Sequence, residues 1–495
     1  MAVLVLALVA ACSGDDDDST ATTTSEADDV TTTTEDVRPD GPTADVTAEL
    51  TGGAGIFVGA PEDRELAAGY VESEYAASGT AQAFTAEGEL PTDGMWTLTA
   101  GTEADYTTRV VVRRPESAED FSGVVLLEWM NVSGGVDADP DWTTLNEEIT
   151  REGHAWIGVS AQAIGVEGGD VRVSISGVEG ADLAGKGLKG IDPDRYGSLE
   201  HPGDAFSFDM YSQIARAVRA GIPALDGLDP KEVIAVGESQ SAAALVTYIN
   251  GFQPMSEAFD AFFVHSRGAA GLPLPAPGES ADLAGSIGGE PTTLRTDVEA
   301  PIMVLQAEND VVGVLRASGA RQPDTDTFRL WEVAGTAHAD LRLIGESTAE
   351  VIDCGAPINN GPLHVVAKAA LHHLVDWVQG GDAPPEARRL ELTEDESAVV
   401  RDDLGIAVGG IRTPPVDVPA QVLTGEQGPS DEVICLLSGS TLPIPDDQLA
   451  ELYPSADAYE DQYGDAVDEA VEAGFVLDAD RDAIEAYAEP DLIPG

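Results

Sequence analysis

One serine in this chain sits where a serine can be turned into a nucleophile. Ser239 is the centre of Gly237-Glu238-Ser239-Gln240-Ser241. The residues before it, 232–236 (Glu-Val-Ile-Ala-Val), form a short β-branched and small apolar run that reads as a buried strand. The residues after it, 242–249, open with three alanines and read as a helix. A serine at such a strand-to-helix corner presents its hydroxyl from a strained backbone. The residues two before and two after it must be small, because strand and helix backbones nearly touch there. Gly237 meets that need, and Ser241 stands where a second glycine is usual.

A serine hydroxyl is a weak nucleophile until a base takes its proton, and an imidazole base needs a carboxylate to fix its tautomer. The chain has seven histidines. In the chain order serine, acid, histidine that suits a doubly wound sheet, His154, His201 and His265 come too early. His364, His372 and His373 fall in a helical pattern. His338 follows an apolar run at 328–333 and the small-residue turn Ala334-Gly335-Thr336-Ala337, so it is the expected base. The acid should follow the preceding apolar run, in Ala307-Glu308-Asn309-Asp310-Val311-Val312. Asp310 is favoured by its distance past the strand end, with Glu308 as the alternative. Acyl transfer also needs backbone donors for an oxyanion. The amide of Gln240 is one, and the loop Met130-Asn131-Val132-Ser133-Gly134-Gly135 should supply the other, from Met130 or Asn131.

The elements that must hold these residues recur along the chain. Runs at 107–113, 123–129, 154–160, 232–236, 259–265, 301–306 and 328–333 read as strands, and 142–151, 208–220 and 362–378 as helices. Their alternation predicts an α/β fold: a doubly wound, mainly parallel sheet covered on both faces. Two Gly/Asp/Pro-rich stretches, 166–203 and 268–300, interrupt the rhythm and are expected to be cap or lid insertions walling an acyl pocket. His265 and Arg267, at the end of a strand, are candidates to face that pocket, with a structural role as the equal alternative. Periodicity is weaker after residue 380.

Charge and cysteines bound the setting. Ninety acidic residues against 25 basic ones give a formal net charge of −65, a field that repels nucleic acid and anionic lipid surfaces. Residues 3–11 are a short apolar stretch ending Val9-Ala10-Ala11-Cys12, which resembles a bacterial lipoprotein signal with Cys12 as the lipid-bearing residue. The expected organisation is therefore a signal peptide over 1–12, a disordered Thr/Ser/Asp-rich tether over 13–46, and one domain over 47–495. The protein is expected to be exported, touching the membrane only through its N-terminal lipid. In an oxidising compartment the remaining pair, Cys354 and Cys435, is expected to form a disulfide. No His-x-x-x-His, Cys/His cluster or Gly-rich phosphate loop is present, so neither metal nor cofactor is expected.

With these pieces placed, the chain resembles an α/β-hydrolase, and more narrowly the bacterial group known only as alpha/beta hydrolase domain-containing proteins. The matching segments are Leu127-Glu128-Trp129-Met130-Asn131-Val132-Ser133-Gly134-Gly135, Asp192-Pro193-Asp194-Arg195-Tyr196-Gly197, the Ser239 corner, Glu308-Asn309-Asp310, Ala337-His338-Ala339-Asp340 and Cys435-Leu436-Leu437-Ser438-Gly439-Ser440-Thr441. The resemblance implies the fold and serine-hydrolase chemistry but no substrate. The leading expectation is a serine hydrolase acting on small-molecule carboxylic esters through an acyl-enzyme. The same residues serve an amidase, a peptidase or an acyltransferase. A catalytically silent surface-binding lipoprotein would keep the fold, but the ordered serine, acid and histidine argue against it.

Overall fold

The computed structural model describes residues 40–60, 66–86, 88–173 and 180–494. The expected signal peptide, Cys12 and most of the expected tether lie outside the described residues. The tether was expected to run to Val46, and here the structure differs. Val46 is only 2 % exposed, and β1 (Asp45–Glu49) pairs with the next strand. A strand with one buried apolar side chain leaves almost no hydropathy signal, so the folded domain starts earlier than its composition suggests.

Eight further strands complete the sheet: β2 (Tyr70–Ala86), β3 (Leu98–Pro115), β4 (Val124–Trp129), β5 (Ala155–Val159), β6 (Glu232–Glu238), β7 (Ala261–His265), β8 (Ile302–Ala307) and β9 (Phe328–Val333). Their order is β1-β2-β3-β5-β4-β6-β7-β8-β9. The first pairings, up to β3 with β5, are antiparallel. From β5 across to β9 every pairing is parallel. The expected mainly parallel, doubly wound sheet is thus present, extended at one edge by the long β2–β3 hairpin.

Alternation along the strands builds two cores. Val125, Leu127 and Trp129 point to one face, where they pack with α2 (Ser207–Ala220) and α3 (Gln240–Gly251) through Phe208, Tyr211, Leu245 and Ile249. Val124 and Leu126 point to the other, against α1 (Pro140–Arg151) and α4 (Leu363–Val378) through Leu145, Ile149, Val366 and Leu371. Strands covered on both faces have no polar side, which is why they read as continuous apolar runs.

The sheet has a switch point between β4 and β6. The chain leaves β4 through α1 toward β5 on one side, whereas β6 lies on the other side of β4. At such a point the loops beyond the strand ends diverge and leave a crevice. The loop after β4 and the Ser239 corner after β6 face each other there.

The stretches 166–203 and 268–300 hold only short helical turns among the described residues. The first lies on the loop after β4, since Arg172 and Val173 amides donate to Ser133 O and Gly185 N donates to Gly135 O. The second lies on α3, where Thr247 Oγ1 donates to Leu272 O at 2.6 Å. Beyond residue 380 the chain forms a small pair of strands, β10 (Gln421–Thr424) and β11 (Ser440–Pro443), and the helix α5 (Ala456–Glu472). A disulfide joins Cys354 to Cys435, with Cα atoms 5.3 Å apart across a sequence separation of 81.

Candidate active site

The corner after β6 has the geometry its spacing requires. Ser239 has φ 60° and ψ −115°, a left-handed conformation that costs a non-glycine residue on the order of 1–3 kcal/mol and persists only where its surroundings enforce it. Its amide donates to His265 O at 2.9 Å and its carbonyl accepts from Ala243 N at 3.1 Å, so both sides of the turn are pinned. A Cβ on Gly237 would lie 3.1 Å from the backbone and Cβ of Ser241. That contact explains the glycine at 237 and shows that a serine at 241 fits.

From Ser239 a line of short contacts runs across the crevice. Ser239 Oγ is 2.8 Å from His338 Nε2. His338 Nδ1 is 2.7 Å from Asp310 Oδ1. The other Asp310 oxygen accepts the Ala307 amide at 2.6 Å, which locks the carboxylate to the end of β8. The His338 amide donates to Asn309 Oδ1 at 2.8 Å, so the acid loop positions both ends of the histidine. The structure brings Ser239, His338 and Asp310 together.

Glu308, the alternative acid, is turned away. It is buried and accepts from Gly335 N at 2.7 Å, Gly425 N at 2.8 Å and Arg401 Nη2 at 2.6 Å. It therefore ties the acid loop and the histidine loop to the C-terminal region. Asn309 Nδ2 and the Ala339 amide likewise both donate to Leu437 O. These loops are clamped from a part of the chain with little sequence signal.

The expectation for the second oxyanion donor is corrected. The Met130 amide donates to Val159 O at 3.2 Å and the Asn131 amide to Ala138 O at 2.9 Å, so neither is free. The next amide, Val132 N, reaches only Gln240 Oε1, at 3.4 Å. Gln240 N is the first amide of α3, where N–H groups have no acceptor within the helix. Asn131 contributes its side chain instead: Nδ2 donates to Glu238 O at 3.1 Å.

His265 and Arg267 are both buried and engaged by neighbouring polar groups, and Arg267 borders a small cavity with Gln306, Arg321 and Glu332. Each is 3 % exposed. His265 Nδ1 sits 2.9 Å from Asp141 Oδ1, beneath the corner. Arg267 donates from Nε to Gly268 O and from Nη2 to Ala269 O and Thr292 O, at 2.7–2.8 Å. A guanidinium has directional donors and these carbonyls use them, so Arg267 fastens the 268–300 stretch to the end of β7. With no carboxylate beside it, burial pulls its pKa down to about 10.

Electrostatics at the site are dominated by carboxylates. Burial alone would depress the His338 imidazole, but Glu238 and Asp310, with Asp340 behind them, outweigh it and hold the group up at about 9. Burial raises Glu238 to about 7, against the pull of His338 and His265. Burial likewise lifts Asp340 to about 6. Glu238 was invisible as a site residue in the sequence because its partners lie far along the chain. Away from this site, one group of metal-capable side chains is found among the described residues, Glu148, Glu152 and His372. Glu148 there is already engaged by Arg151 and His372.

A parallel sheet with its serine at the switch point, facing an imidazole and a carboxylate carried on the next strand ends, defines an α/β hydrolase. A family profile described as an alpha/beta hydrolase domain matches residues 40–486. The chain belongs to that family. No curated protein matches it. Among solved structures it is similar to one from a study of two fungal esterases of Rhizomucor miehei, at 13 % identity, with 61 % of this chain and 85 % of that chain covered and a TM-score of 0.30. A putative dienelactone hydrolase from Klebsiella pneumoniae subsp. pneumoniae is 13 % identical over 61 % of this chain and 99 % of its own, with a TM-score of 0.28. A serine hydrolase without a lid from Xanthomonas campestris is 13 % identical over 52 % and 83 %, with a TM-score of 0.25.

Proposed function

We propose that the protein hydrolyses carboxylic esters through an acyl-enzyme on Ser239. The observation that carries this reading is the contact line from Ser239 Oγ through His338 to Asp310, at 2.8 and 2.7 Å, starting from a serine in a strained conformation. As Oγ bonds to the ester carbonyl carbon, its proton passes to His338 Nε2. Asp310 holds the ring with Nδ1–H toward itself and stabilises the imidazolium. The amides of Gln240 and Val132 receive the oxyanion, and each such donor is worth about 10²–10³ in turnover. His338 returns the proton to the departing alcohol, and water attacks the acyl-enzyme by the same route. The 166–203 stretch, resting on the loop after β4, is proposed as a wall of the acyl site.

Export and a lipid anchor at Cys12 belong to the same proposal, motivated by Val9-Ala10-Ala11-Cys12 and the polar segment behind it. Expressed with its own leader in a bacterium, the protein should partition into detergent, and Cys12→Ser should abolish this. Unchanged partitioning would rule the anchor out. For the chemistry, a fluorophosphonate probe should form one adduct, mapped by mass spectrometry to Ser239, and should abolish turnover of p-nitrophenyl esters. Undiminished esterase activity in Ser239→Ala would overturn the reading.

A further inference from the structure

The mechanism just proposed leaves one charged group at the serine corner without a task. Glu238, the residue before the nucleophile, ends β6 and is 3 % exposed. Its Oε1 has no hydrogen-bond donor. That oxygen lies 3.3 Å from His338 Nε2, the nitrogen that Ser239 Oγ approaches at 2.8 Å. The second oxygen meets only Asn131 Nδ2, at 3.4 Å. The His338 ring therefore has a carboxylate at each nitrogen, Asp310 at Nδ1 and Glu238 at Nε2. On the next strand Glu238 is the register partner of His265, so the two side chains leave the sheet on the same face. His265 Nε2 is also without a partner, while its Nδ1 is held by Asp141.

We infer that Glu238 is a positioning residue of this site: its carboxylate competes with Ser239 for the Nε2 edge of His338, keeps a proton there in the resting protein, and so sets the pH at which His338 becomes a base. The inference rests on the proposed roles of Ser239 and His338. A buried carboxylate oxygen with no donor is unstable unless a positive charge stands beside it, and the group at 3.3 Å that can carry one is the His338 ring, once protonated. An imidazolium cannot take the serine proton, so one proton must leave before attack. Once it has left, the neutral ring accepts the Ser239 proton as the Oγ–carbon bond forms. The imidazolium that results faces two carboxylates already in place. The proton then passes to the leaving alkoxide, and Glu238 itself makes and breaks no covalent bond.

The groups that face this pair fix the sign of the effect. Glu238 is acted on by His338, His265, Asp141 and Asp310, and His338 by Glu238, Asp310 and Asp340. Burial lowers His338, and Glu238 through its charge and Asp310 through its charge and hydrogen bond override it. Removing the charge at 238 must therefore lower the pKa of His338 and extend the reactive form to more acidic pH.

The test is the rate at which a fluorophosphonate probe labels the full-length protein across pH, with the adduct mapped. In the wild type, labelling should fall on the acid side with a midpoint well above the ordinary imidazole value of about 6.5. In Glu238→Gln the midpoint should drop by about one unit or more, so the ratio of rates at acid and alkaline pH rises about tenfold. Glu238→Asp, which withdraws the carboxylate by one methylene, should fall between. A packing role alone would change the rate equally at every pH. An adduct on Ser239 with the same midpoint in all three proteins overturns this inference alone. An adduct on another residue overturns the Ser239 reading and this inference with it. Should the Gln variant not fold, a wild-type midpoint near 6.5 or an unmoved Asp variant still overturns it.

Discussion

Two carboxylates two residues apart, Glu308 and Asp310, have opposite duties, and the difference is testable at the level of single side chains. Asp310 touches His338 Nδ1 at 2.7 Å, so Asp310→Asn should place the wrong tautomer at the ring and lower kcat about 10⁴-fold with little loss of stability. Glu308 touches two amides and Arg401 but not His338. Glu308→Gln should leave kcat of the folded protein within about tenfold while destabilising it by about 3 kcal/mol, because a buried ion pair loses one member. A calorimetric scan beside an ester assay separates these outcomes, and a swapped pattern would exchange the roles. Ser239→Ala and His338→Ala should each cost about 10⁴–10⁶ in kcat, and the double variant little more, since the residues act as a unit. At this scale the sequence carried the nucleophile and the base, because spacing and flanking small residues are local properties. It favoured Asp310 over Glu308 only by position. It missed which amide stays free: Met130 N and Asn131 N are consumed by Val159 O and Ala138 O, bonds that exist only once β5 and residue 138 are in place.

Among the elements, the parallel strands were legible and the hairpin was half hidden. β4 through β9 are buried on both faces, so Val-Val-Leu-Leu or Ile-Met-Val-Leu needs no context to be read as a strand. β2 runs for 17 residues as Tyr-Val-Glu-Ser-Glu-Tyr-Ala-Ala-Ser-Gly-Thr-Ala-Gln-Ala-Phe-Thr-Ala, mostly small and polar side chains with a few scattered large apolar ones. Its pairing with β3, not its hydropathy, makes it a strand. The region after residue 380 was opaque for a related reason. Around β10, β11 and α5 it is mostly loops and short helices, and it holds the acid and histidine loops through Arg401 and Gly425 on Glu308 and Leu437 O on Asn309 and Ala339. The Cys354–Cys435 disulfide fastens that region beside the histidine loop, in an apolar cluster containing Ala339 and Ile344. Closing a loop over a separation of 81 residues stabilises by about 4 kcal/mol in the chain-entropy account. Reduction should therefore lower the thermal midpoint. If the clamp also sets the histidine loop, fluorophosphonate labelling should slow at temperatures where the reduced protein is still folded. Equal labelling rates in oxidised and reduced protein would confine the disulfide to stability.

Across the whole molecule the governing quantity is a net charge of −65 on 495 residues, with a pI near 4.1. Most of the excess lies in the folded domain, where exposed acids on α5 and neighbouring turns have few basic partners; Lys186, Lys189, Lys231 and Lys368 are the only lysines. Among the described residues several of the scarce cations are buried in ion pairs. Arg109 is buried against Glu74 and Asp137, and Lys368 against Glu147 and Asp480. Among the described residues the surface keeps some ion pairs, such as Lys231 with Asp229 and Arg481 with Asp468, against many more acids, so repulsion remains. Self-repulsion of this kind opposes the compact state and is screened over about 10 Å at 0.1 M salt. The thermal midpoint should therefore rise by several degrees between a few millimolar and a few tenths molar salt. Chloride and nitrate should act alike over that range, because screening depends on ionic strength alone. A rise that begins only at molar salt and depends on the anion would instead indicate exclusion of salt from the surface. The charge would then be a property of composition with no hold on stability. The Arg109 pairs give an internal control: both members of each are fully buried and out of reach of salt, so Arg109→Met should destabilise by nearly the same amount at both ends of the titration.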